Sequence, residues 1–517
     1  MHYLSGTLHA MPTQKYLSTL ALVCFTLLGC EFGVDSETSI SPNYHLLSTC
    51  DRPDNATIAH IVAESLCGTI SVFEDRSAMT GRKIDLNIML MPAVSIAKAD
   101  PIFFLAGGPG QSAVDAGPFL FYQLNKLRNE RDIVLVDQRG TGKSNSLACE
   151  LEVSAFEQVN ISVDTAIAMQ IENLKKCLTE YDANPALYTT PIAMDDLNEV
   201  REVLGYGKIN LLGISYGTRA ALVYIRRHED TVRSAVLDAV VPTSMVIPRN
   251  VAVDAQTAFN GLLADCMKQP GCNEAYPQLG PHFKSLIRRL EQAPEEITLH
   301  HPRTGKKLTG PLDQRLVSRL IHAVLYDRTL SQLLPLAIEE AFLGNYQPLS
   351  TLAYTITGED SVFSTGMMAS VLCAEDMKLV DAASNTEDFD NTIYAALAPI
   401  CEFWPAGSIP ENYFEPVVSD IPVLLMSGKL DPITPPKYGW EASLTLKNSE
   451  HVVIPGVGHG SIIAGCMPDV VNDFFNDPNP RKVRAGCSVD LQRLPFFSSL
   501  AGPLDPNKET AADGRSD

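Results

Sequence analysis

LLGISYGTR occupies residues 211–219, between an apolar, strand-like run and a run of helix-forming residues. The pattern Gly213-x-Ser215-x-Gly217 therefore lies where a strand gives way to a helix, which is typical of the sharp turn that exposes a nucleophilic serine. Both glycines suit this turn, since the residues two before and two after the serine must lack bulk. The positive end of the following helix favours negative charge beside the serine. We expect Ser215 to be a nucleophile and the Tyr216 N–H to be an oxyanion donor; an ordinary strand–helix turn is the alternative.

A glycine-rich loop follows the apolar run at residues 101–105 and reads AGGPGQS at residues 106–112. A buried strand directly before the loop would hold its backbone amides at the edge of a sheet. In folds with a nucleophile turn of this kind, such a loop supplies the second oxyanion donor. We expect that donor to be the N–H of Gly108, with Gly107 as the alternative; a plain Gly/Pro turn is the other interpretation.

Two titratable residues follow late apolar runs of the chain. Asp431 comes just after residues 421–428, and His459 follows residues 451–457. Open parallel sheets place their sites beyond the carboxyl ends of the strands, so these side chains are expected to meet Ser215. Folds with a nucleophile turn of this kind carry the serine, the acid and the histidine in this order along the chain. We expect His459 to act as general base and Asp431 to orient its ring; for each, a solvated or capping role is the alternative.

The chain between these core runs has a different pattern. From about residue 247 to 405, helical periodicity replaces the strand-like runs and predicts a mainly helical cap inserted into an α/β core with a mostly parallel sheet. The predicted divisions are a signal peptide, a tether with an N-terminal segment, the first core part, the cap, the second core part and a C-terminal tail. They cover residues 1–29, 30–64, 65–246, 247–405, 406–490 and 491–517.

Gly142-Lys143-Ser144 resembles the end of a phosphate-binding loop. That motif requires a glycine five residues before Gly142, where Asp137 stands. The sequence therefore excludes a phosphate-binding loop here. We expect Asp137 to form an ion pair with Arg139 that holds this loop near the site.

Three motifs together resemble the proline iminopeptidase and tripeptidyl aminopeptidase family of α/β-hydrolase serine peptidases. They are GGPG at residues 107–110, DQRGTGKS at residues 137–144 and GISYGT at residues 213–218. The segments around Asp431 and His459 resemble the tripeptidyl aminopeptidase branch. The resemblance extends over residues 65–490 and implies the α/β-hydrolase fold.

The resemblance also implies a serine exopeptidase that releases residues from the free N-terminus of short peptides. Ala106 stands where proline iminopeptidases commonly have a histidine, which argues against a strict proline iminopeptidase. Such enzymes need an anionic group at a fixed distance from the nucleophile to hold the substrate ammonium. Glu375 resembles the family's amine-binding acid, and Asp376 is the neighbouring alternative; a packing charge in the cap is the other interpretation.

The composition is that of a globular protein with a strong acidic excess. The 517 residues carry a formal net charge of -21, so a nucleic-acid partner is not expected. No Cys/His cluster has the spacing of a zinc site, and we expect neither a metal nor an organic cofactor. The cysteines after Cys30 are expected to form disulfides in an exported chain, although any one of them could be a free buried thiol. Pairing in sequence order would close local loops, with the pairs Cys50–Cys67, Cys149–Cys177, Cys266–Cys272, Cys373–Cys401 and Cys466–Cys487.

An apolar run at residues 16–30 follows Lys15 and is too short for a comfortable transmembrane helix. Its end, LLGC at residues 27–30, resembles the lipobox of bacterial lipoproteins, in which Cys30 carries the lipid. We therefore expect an exported bacterial lipoprotein, periplasmic or on the cell surface, that contacts the membrane only through this anchor. A conventional cleaved signal peptide is the alternative, and export follows in either case.

The sequence allows two other functions. The same catalytic residues would also serve an esterase or amidase of small acyl substrates, because this fold supports many acyl-transfer reactions. A non-catalytic surface lipoprotein is disfavoured, since all three catalytic positions and both oxyanion segments are present.

Overall fold

The computed structural model describes residues 42–98, 100–149, 157, 161–357, 363–380 and 385–503. The predicted signal peptide and Cys30 lie outside these residues, as do the start of the predicted tether and residues 504–517 of the predicted tail. Among the described residues, no helix combines the length and the apolar character needed to cross a lipid bilayer.

Strands form mostly from the apolar runs of the sequence. Two strands in the interior of the sheet, at residues 102–105 and 133–136, have every side chain buried, because other layers cover both faces there. In chain order the strands of the described residues are β1 (Ser48–Thr49), β2 (Leu66–Phe73), β3 (Lys83–Met91), β4 (Ile102–Leu105), β5 (Ile133–Val136), β6 (Ile209–Ile214), β7 (Val232–Asp238), β8 (Glu295–His300), β9 (Lys307–Leu312), β10 (Val423–Gly428) and β11 (Ser449–Ile454).

Nine of the described strands form one sheet in the order β1-β2-β3-β5-β4-β6-β7-β10-β11. The pairs β1–β2, β2–β3 and β3–β5 are antiparallel, whereas the strands from β5 to β11 in this order run parallel. The parallel strands bring their carboxyl ends to one edge of the sheet, where the loops with the predicted catalytic residues begin. The predicted mostly parallel sheet of an α/β-hydrolase core is confirmed.

Helices pack on both faces of the sheet, and further helices occur in the chain segment that connects β7 to β10. In the described part of the chain they are α1 (Ala59–Ala63), α2 (Ala113–Gln123), α3 (Val163–Glu180), α4 (Thr190–Val203), α5 (Tyr216–His228), α6 (Val251–Lys268), α7 (Pro270–Ala275), α8 (Leu279–Gln292), α9 (Gln314–Leu325), α10 (Leu334–Phe342), α11 (Gln347–Thr357), α12 (Thr365–Glu375), α13 (Thr392–Cys401), α14 (Pro436–Ser443) and α15 (Met467–Asn476).

The segment between β7 and β10 is mainly helical and carries α6 to α13. It has a hydrophobic core of its own, which includes Phe259, Phe283 and Ile321. The strands β8 and β9 form an antiparallel hairpin in this segment, and the helical periodicity around it does not predict that hairpin. Leu299 and Leu312 of the hairpin join the cap core, while the rest of each six-residue strand is mostly half-buried or exposed. Strands this short leave only a weak period-two pattern in the sequence.

The cysteines of the described residues form five disulfides in the predicted sequential pairing. Each bond closes a local loop, with sequence separations from 6 to 28 residues. The Cys373–Cys401 bond joins α12 to α13, with the two Cα atoms 5.2 Å apart. It therefore ties down the backbone just before Glu375.

The predicted ion pair between Asp137 and Arg139 is wrong. Arg139 is fully buried and donates to the Asp196 carboxylate at 2.6 and 2.8 Å and to the Glu74 carbonyl oxygen at 2.7 Å. Asp137 accepts instead from neutral donors, among them the Ser112 hydroxyl at 2.7 Å. The long Arg139 side chain reaches α4, where a buried carboxylate requires a cation, whereas Asp137 is satisfied by hydrogen bonds near its own loop.

Candidate active site

Ser215 lies at the sharp turn between β6 and α5. Its backbone has φ 57° and ψ -127°, a conformation that residues other than glycine rarely adopt. A Cβ atom on Gly213 would lie 2.6 Å from the Gly217 carbonyl oxygen, and one on Gly217 would overlap the Leu105 carbonyl oxygen. The turn therefore requires both glycines and holds Ser215 in the strained conformation of a nucleophile turn.

The glycine-rich loop after β4 packs against this turn. A Cβ atom on Gly107 would lie 3.4 Å from the Ser215 Cβ atom, so the loop backbone lies directly beside the serine. The Gly107 N–H donates to Gln111 Oε1 at 3.2 Å, whereas Gly108 is exposed. The Tyr216 N–H is the first of α5 and so has no acceptor within the helix. Gly108 and Tyr216 are therefore the two amides that we propose for the oxyanion.

Two sets of contacts fix this loop. The Gly110 carbonyl oxygen accepts the N–H of Ser364, the residue that caps the start of α12, at 2.9 Å. On the other side, Asp137 accepts from the Ser112 hydroxyl at 2.7 Å and from the Val114 N–H at 3.0 Å. The cap and the end of β5 thus both hold the loop that carries the proposed oxyanion donor.

His459 and Asp431 form a hydrogen-bonded pair beyond the carboxyl ends of β10 and β11. Nδ1 of His459 lies 2.8 Å from Oδ2 of Asp431, which leaves Nε2 for proton exchange. Asp431 is 2% exposed and also accepts from the Thr434 hydroxyl at 2.7 Å. The N–H groups of Ile433 and Thr434 donate to its other oxygen at 2.9 and 2.8 Å. This is the geometry of an acid that orients the ring of a general base.

Electrostatics favour a charged pair. Burial is the largest single effect on the pKa of His459 and lowers it. The charge and the hydrogen bond of Asp431, with a contribution from the charge of Asp238, together outweigh it, so the pKa is raised above the ordinary value of 6.5. Burial raises the pKa of Asp431, but His459 and the hydrogen bonds from Thr434 outweigh it, so the pKa is lowered below 3.8. Asp431 therefore stays ionised at neutral pH and can stabilise an imidazolium on His459.

The turn with Ser215 and the loop with His459 meet at the end of β7. The Ser215 N–H donates to the Asp238 carbonyl oxygen at 2.9 Å, and the Asp238 carboxylate accepts the N–H of Ser461 at 2.6 Å. Within the described residues no hydrogen bond joins the Ser215 hydroxyl to the His459 ring; such bonds are often long before substrate binds. The structure thus brings the segments of Ser215, Asp431 and His459 into one region.

The cap contributes residues to this region that the sequence analysis missed. The Tyr326 ring meets the His459 ring edge-on, with 5.0 Å between centroids. The backbone carbonyl oxygen of Tyr326 also accepts the backbone N–H of His459 at 3.0 Å. His322, one turn earlier on α9, donates to the Pro432 carbonyl, and burial lowers its pKa to about 4. In the sequence both residues belong to an amphipathic cap helix and its end. Only the packing of cap on core reveals their contact with His459.

Glu375 lies at the end of α12, close to the residue that follows Ser215. Its carboxylate accepts from the Thr190 N–H at 2.6 Å, from the Thr190 hydroxyl at 2.8 Å and from the Tyr413 hydroxyl. The Thr190 hydroxyl also lies 2.6 Å from the Tyr216 hydroxyl. Burial raises the pKa of Glu375 to about 7, more than the hydrogen bonds from Tyr413 and Thr190 lower it. The sequence did not indicate the contacts with Thr190 and Tyr413, which lie far from Glu375 along the chain.

Asp376, the alternative acid, has a different partner. Nη1 of Arg219 lies 3.0 and 2.9 Å from its two carboxylate oxygens, and both side chains are fully buried. The Ile247 N–H also donates to Asp376, at 2.9 Å. Because Asp376 already neutralises a buried guanidinium, Glu375 is the acid that we keep as the candidate for amine binding.

The donor set of this region does not suit a metal ion. Within the described residues, no group of three or more His, Cys, Asp or Glu side chains is arranged to hold one. Asp431 is bound to His459, and Asp376 to Arg219. The region offers a nucleophile, a base and backbone amides rather than a cluster of ligands.

Two family models match the chain. One, described as the alpha/beta hydrolase fold, matches residues 100–296, which include the glycine-rich loop and Ser215. The other, described as TAP-like protein, matches residues 385–487, which include Asp431 and His459. The two matched segments contain every residue that we assign to nucleophilic attack and to the oxyanion.

Curated relatives and solved structures are similar to the chain as well. Serine protease Hip1 of Mycobacterium tuberculosis is 26% identical over 495 residues, which cover 89% of this chain and 94% of that protein. Tripeptidyl aminopeptidase of Streptomyces lividans is 27% identical over 277 residues, 50% of this chain and 50% of that protein. The crystal structure of proline iminopeptidase from Mycobacterium smegmatis covers 79% of this chain and 98% of its own, at 16% identity and a TM-score of 0.36. The first of these similarities extends over most of the chain.

Proposed function

Because this chain belongs to the proline iminopeptidase and tripeptidyl aminopeptidase family of α/β-hydrolase serine peptidases, we propose that it is an exported serine aminopeptidase of short peptides. A serine peptidase of the α/β-hydrolase type follows from the family. The requirement for a free N-terminus and the export of the chain are the finer parts of the proposal. A relative named tripeptidyl aminopeptidase supports the first of these parts.

The residues at the carboxyl edge of the sheet account for acyl transfer. The Ser215 hydroxyl attacks the scissile carbonyl, while Nε2 of His459 takes its proton and then returns it to the leaving amine. The N–H groups of Tyr216 and Gly108 stabilise the negative charge that develops on the carbonyl oxygen. Water then hydrolyses the acyl-enzyme on Ser215, with His459 again as base. No step requires a group other than the protein and water.

The observation that carries the amine specificity is the environment of Glu375. Its carboxylate is buried, and its hydrogen-bond donors from Thr190 and Tyr413 are neutral groups. A substrate ammonium would supply the cation that lowers its pKa from about 7, the behaviour expected of an amine site. Since Glu375 is 1% exposed, the ammonium would have to replace one of those hydroxyl donors.

The position of Glu375 suits an exopeptidase. Two hydrogen bonds, through the Thr190 hydroxyl, connect its carboxylate to the side chain of Tyr216. The N–H of Tyr216 is in turn a proposed oxyanion donor, so the acid and the reacting carbonyl would be held at a fixed separation. An ammonium at Glu375 would therefore measure a set number of residues from the N-terminus to the scissile bond.

Export is supported by the cysteines. The ten described cysteines are all paired in disulfides, and disulfides persist in oxidising compartments outside the cytosol. The lipobox-like LLGC at residues 27–30 supports anchoring through Cys30. We therefore propose a periplasmic or cell-surface location for the enzyme, with short peptides in that compartment as substrates.

One observation favours a second candidate, an esterase or amidase of small acyl substrates. Glu375 is almost completely buried and already accepts three hydrogen bonds, so it could be only a satisfied structural acid. The catalytic residues would then act on acyl groups without any requirement for an amine.

A panel of chromogenic substrates distinguishes the two functions. It comprises amides of Pro, Ala and Ala-Ala-Pro, each with a free or an acetylated N-terminus, and simple acyl esters. We expect turnover of the free-amine substrates only, and the best chain length identifies the number of residues released. Turnover of esters with no preference for a free amine would replace the proposal by the second candidate.

The Ser215→Ala variant ties this turnover to the nucleophile. We expect kcat to fall roughly 10⁶-fold, the size seen when a catalytic serine is removed. Ser234→Ala is the matched control, because Ser234 is a buried serine that donates to Asn210 Oδ1 at 2.6 Å, away from the catalytic edge of the sheet. Its activity should stay close to that of the wild type.

A further inference from the structure

Asp238 connects the two segments that carry the proposed nucleophile and base. It is the last residue of β7 and is fully buried. Its backbone pairs with Ile214, the last residue of β6, and its carbonyl oxygen accepts the Ser215 N–H at 2.9 Å. The main chain of Asp238 is therefore fixed to the nucleophile turn.

The carboxylate of Asp238 is fixed to the loop after β11. Ser461 donates to it through its N–H and through its hydroxyl, both at 2.6 Å, and the Ile462 N–H donates at 2.8 Å. Three donors from two consecutive residues define the position of this loop relative to the end of β7. His459 lies two residues before Ser461, so the position of its ring depends on the same contacts.

Asp238 also acts on His459 through its charge. Among the described residues, the ionisable side chains that contact His459 or act on it electrostatically are Asp431 after β10, Asp238 at the end of β7, and His322 and Tyr326 from the cap. Burial is the largest single effect on the pKa of His459 and lowers it. The charge and the hydrogen bond of Asp431, together with the charge of Asp238, exceed that effect, so the pKa is raised. Burial raises the pKa of Asp238 itself, and the hydrogen bonds from Ser461 and Ile462 and the charge of His459 oppose that rise. The carboxylate form of Asp238 favours the imidazolium that forms when His459 takes the serine proton, although its hydrogen bonds go to the loop.

We propose that Asp238 is a positioning residue for acyl transfer, which joins the His459 loop to the Ser215 turn and adds a second carboxylate that acts electrostatically on His459. It touches neither the substrate nor the reacting atoms, so it acts through His459. The role rests on the proposed function of Ser215 and His459. It explains why a strand in the sheet interior ends in a carboxylate that is completely removed from water.

A buried carboxylate elsewhere in the sheet provides the comparison. Asp132 precedes β5, at the opposite edge of the sheet, and is 1% exposed. It accepts from the Tyr206 hydroxyl at 2.7 Å and from the Ala93 N–H at 2.9 Å. Asp132→Asn therefore removes a buried carboxylate, as Asp238→Asn does. Unlike Asp238, Asp132 makes no hydrogen bond to the described residues of the His459 loop.

The experiment measures the rate at which a fluorophosphonate labels the serine, as a function of pH, together with kcat and KM on the best substrate of the panel. Labelling needs an activated serine but no particular peptide, so it does not depend on the correct choice of substrate. For Asp238→Asn we expect labelling and kcat to fall 10- to 100-fold with KM within about twofold. The acidic limb of the labelling rate should shift to lower pH, because His459 loses one of two neighbouring negative charges.

Asp132→Asn should reduce thermal stability and leave the acidic limb where it is in the wild type. Ser461→Ala keeps the charge of Asp238 and removes one donor, so we expect slower labelling, by a few fold, at an unchanged acidic limb. This variant keeps the proposal testable if Asp238→Asn does not fold. An acidic limb that Asp238→Asn leaves in place, or full labelling speed in Ser461→Ala, would overturn the proposal.

Failure of the proposed function has a different signature. If Ser215→Ala still hydrolysed the panel, the nucleophile would be wrong, whatever the behaviour of Asp238. If Ser215 were labelled at the wild-type rate in Asp238→Asn and the panel still required a free amine, only the positioning role would be lost.

Discussion

Asp431 and Glu375 are both buried carboxylates near the proposed nucleophile, 2% and 1% exposed, yet their pKa values shift in opposite directions. Burial raises the pKa of each. At Asp431 the attraction of His459 and hydrogen bonds from Thr434 exceed this effect, and the pKa falls below its ordinary value. At Glu375 the hydrogen bonds from Tyr413 and Thr190 do not exceed it, and the pKa rises to about 7.

The difference lies in the charge of the partner rather than in the depth of burial. Asp431 has an ionisable ring at 2.8 Å, whereas the hydrogen-bond donors of Glu375 are two hydroxyls and one amide. Arg219 lies in the same region, but it is paired with Asp376 at 2.9 Å. Asp431 and Asp376 therefore each have a basic partner already. In the described part of the chain Glu375 has none within hydrogen-bond distance, so a bound cation would stabilise its ionised form most.

The largest effect on activity is expected at Asp431, which is paired with His459. Asp431→Asn should lower kcat about 10⁴-fold with little change in KM, because the ring of His459 loses the acceptor that sets its tautomer and stabilises its charged form. Steady-state kinetics on the best free-amine substrate measure both constants. A loss that appeared mainly in KM would show that Asp431 serves substrate binding, and the contrast with Glu375 would disappear.

A smaller effect on activity is expected at Glu375, whose hydrogen-bond donors are neutral. Glu375→Gln should raise KM for free-amine substrates roughly 10- to 100-fold, the size of one lost hydrogen bond to a charged group, with a smaller change in kcat. Tyr413→Phe is the matched control, because it removes a donor to Glu375 and keeps the carboxylate; its KM should not rise. An unchanged KM in Glu375→Gln would remove the support for Glu375 as the amine site.

The smallest effect concerns stability. The pKa of Glu375 is raised from 4.5 to about 7 in the folded protein, so its contribution to stability is fully present below pH 4.5 and is lost as the pH rises through 7. Glu375→Gln has no such loss. Its melting temperature, measured relative to the wild type by differential scanning calorimetry, should therefore rise by a few degrees between pH 5 and pH 8. A constant difference across this range would mean that Glu375 is already ionised in the folded state.

The positions of the proposed catalytic residues in the core were predictable because their signals are local. The turn at Ser215 needs glycines two residues before and after it, and the structure shows why, since a Cβ atom at either position would meet backbone. Asp431 and His459 each follow a buried strand, and the parallel sheet brings the ends of those strands to one edge. The sequential disulfides were predictable for a similar reason, because each closes a short loop.

Contacts between the cap and the core were not predictable in this way. Tyr326 contacts His459, and Thr190 contacts Glu375, although more than 100 residues separate the members of each pair. The expected pair of Asp137 and Arg139 failed within the core, because the carboxylate that Arg139 contacts lies 57 residues away along the chain. Arg139 forms its ion pair with Asp196 on α4.

The sequence by itself determined which residues stand at the ends of the core strands, which turn must contain glycine and which cysteines close local loops. Only the tertiary structure decided the ionic state of the buried acids. A pKa depends on the charges and donors within a few ångströms, and for Glu375 and Asp376 those groups come from distant segments that meet when the cap packs on the sheet. That is why Asp376 became the partner of Arg219, while Glu375, the next residue along the chain, kept neutral donors.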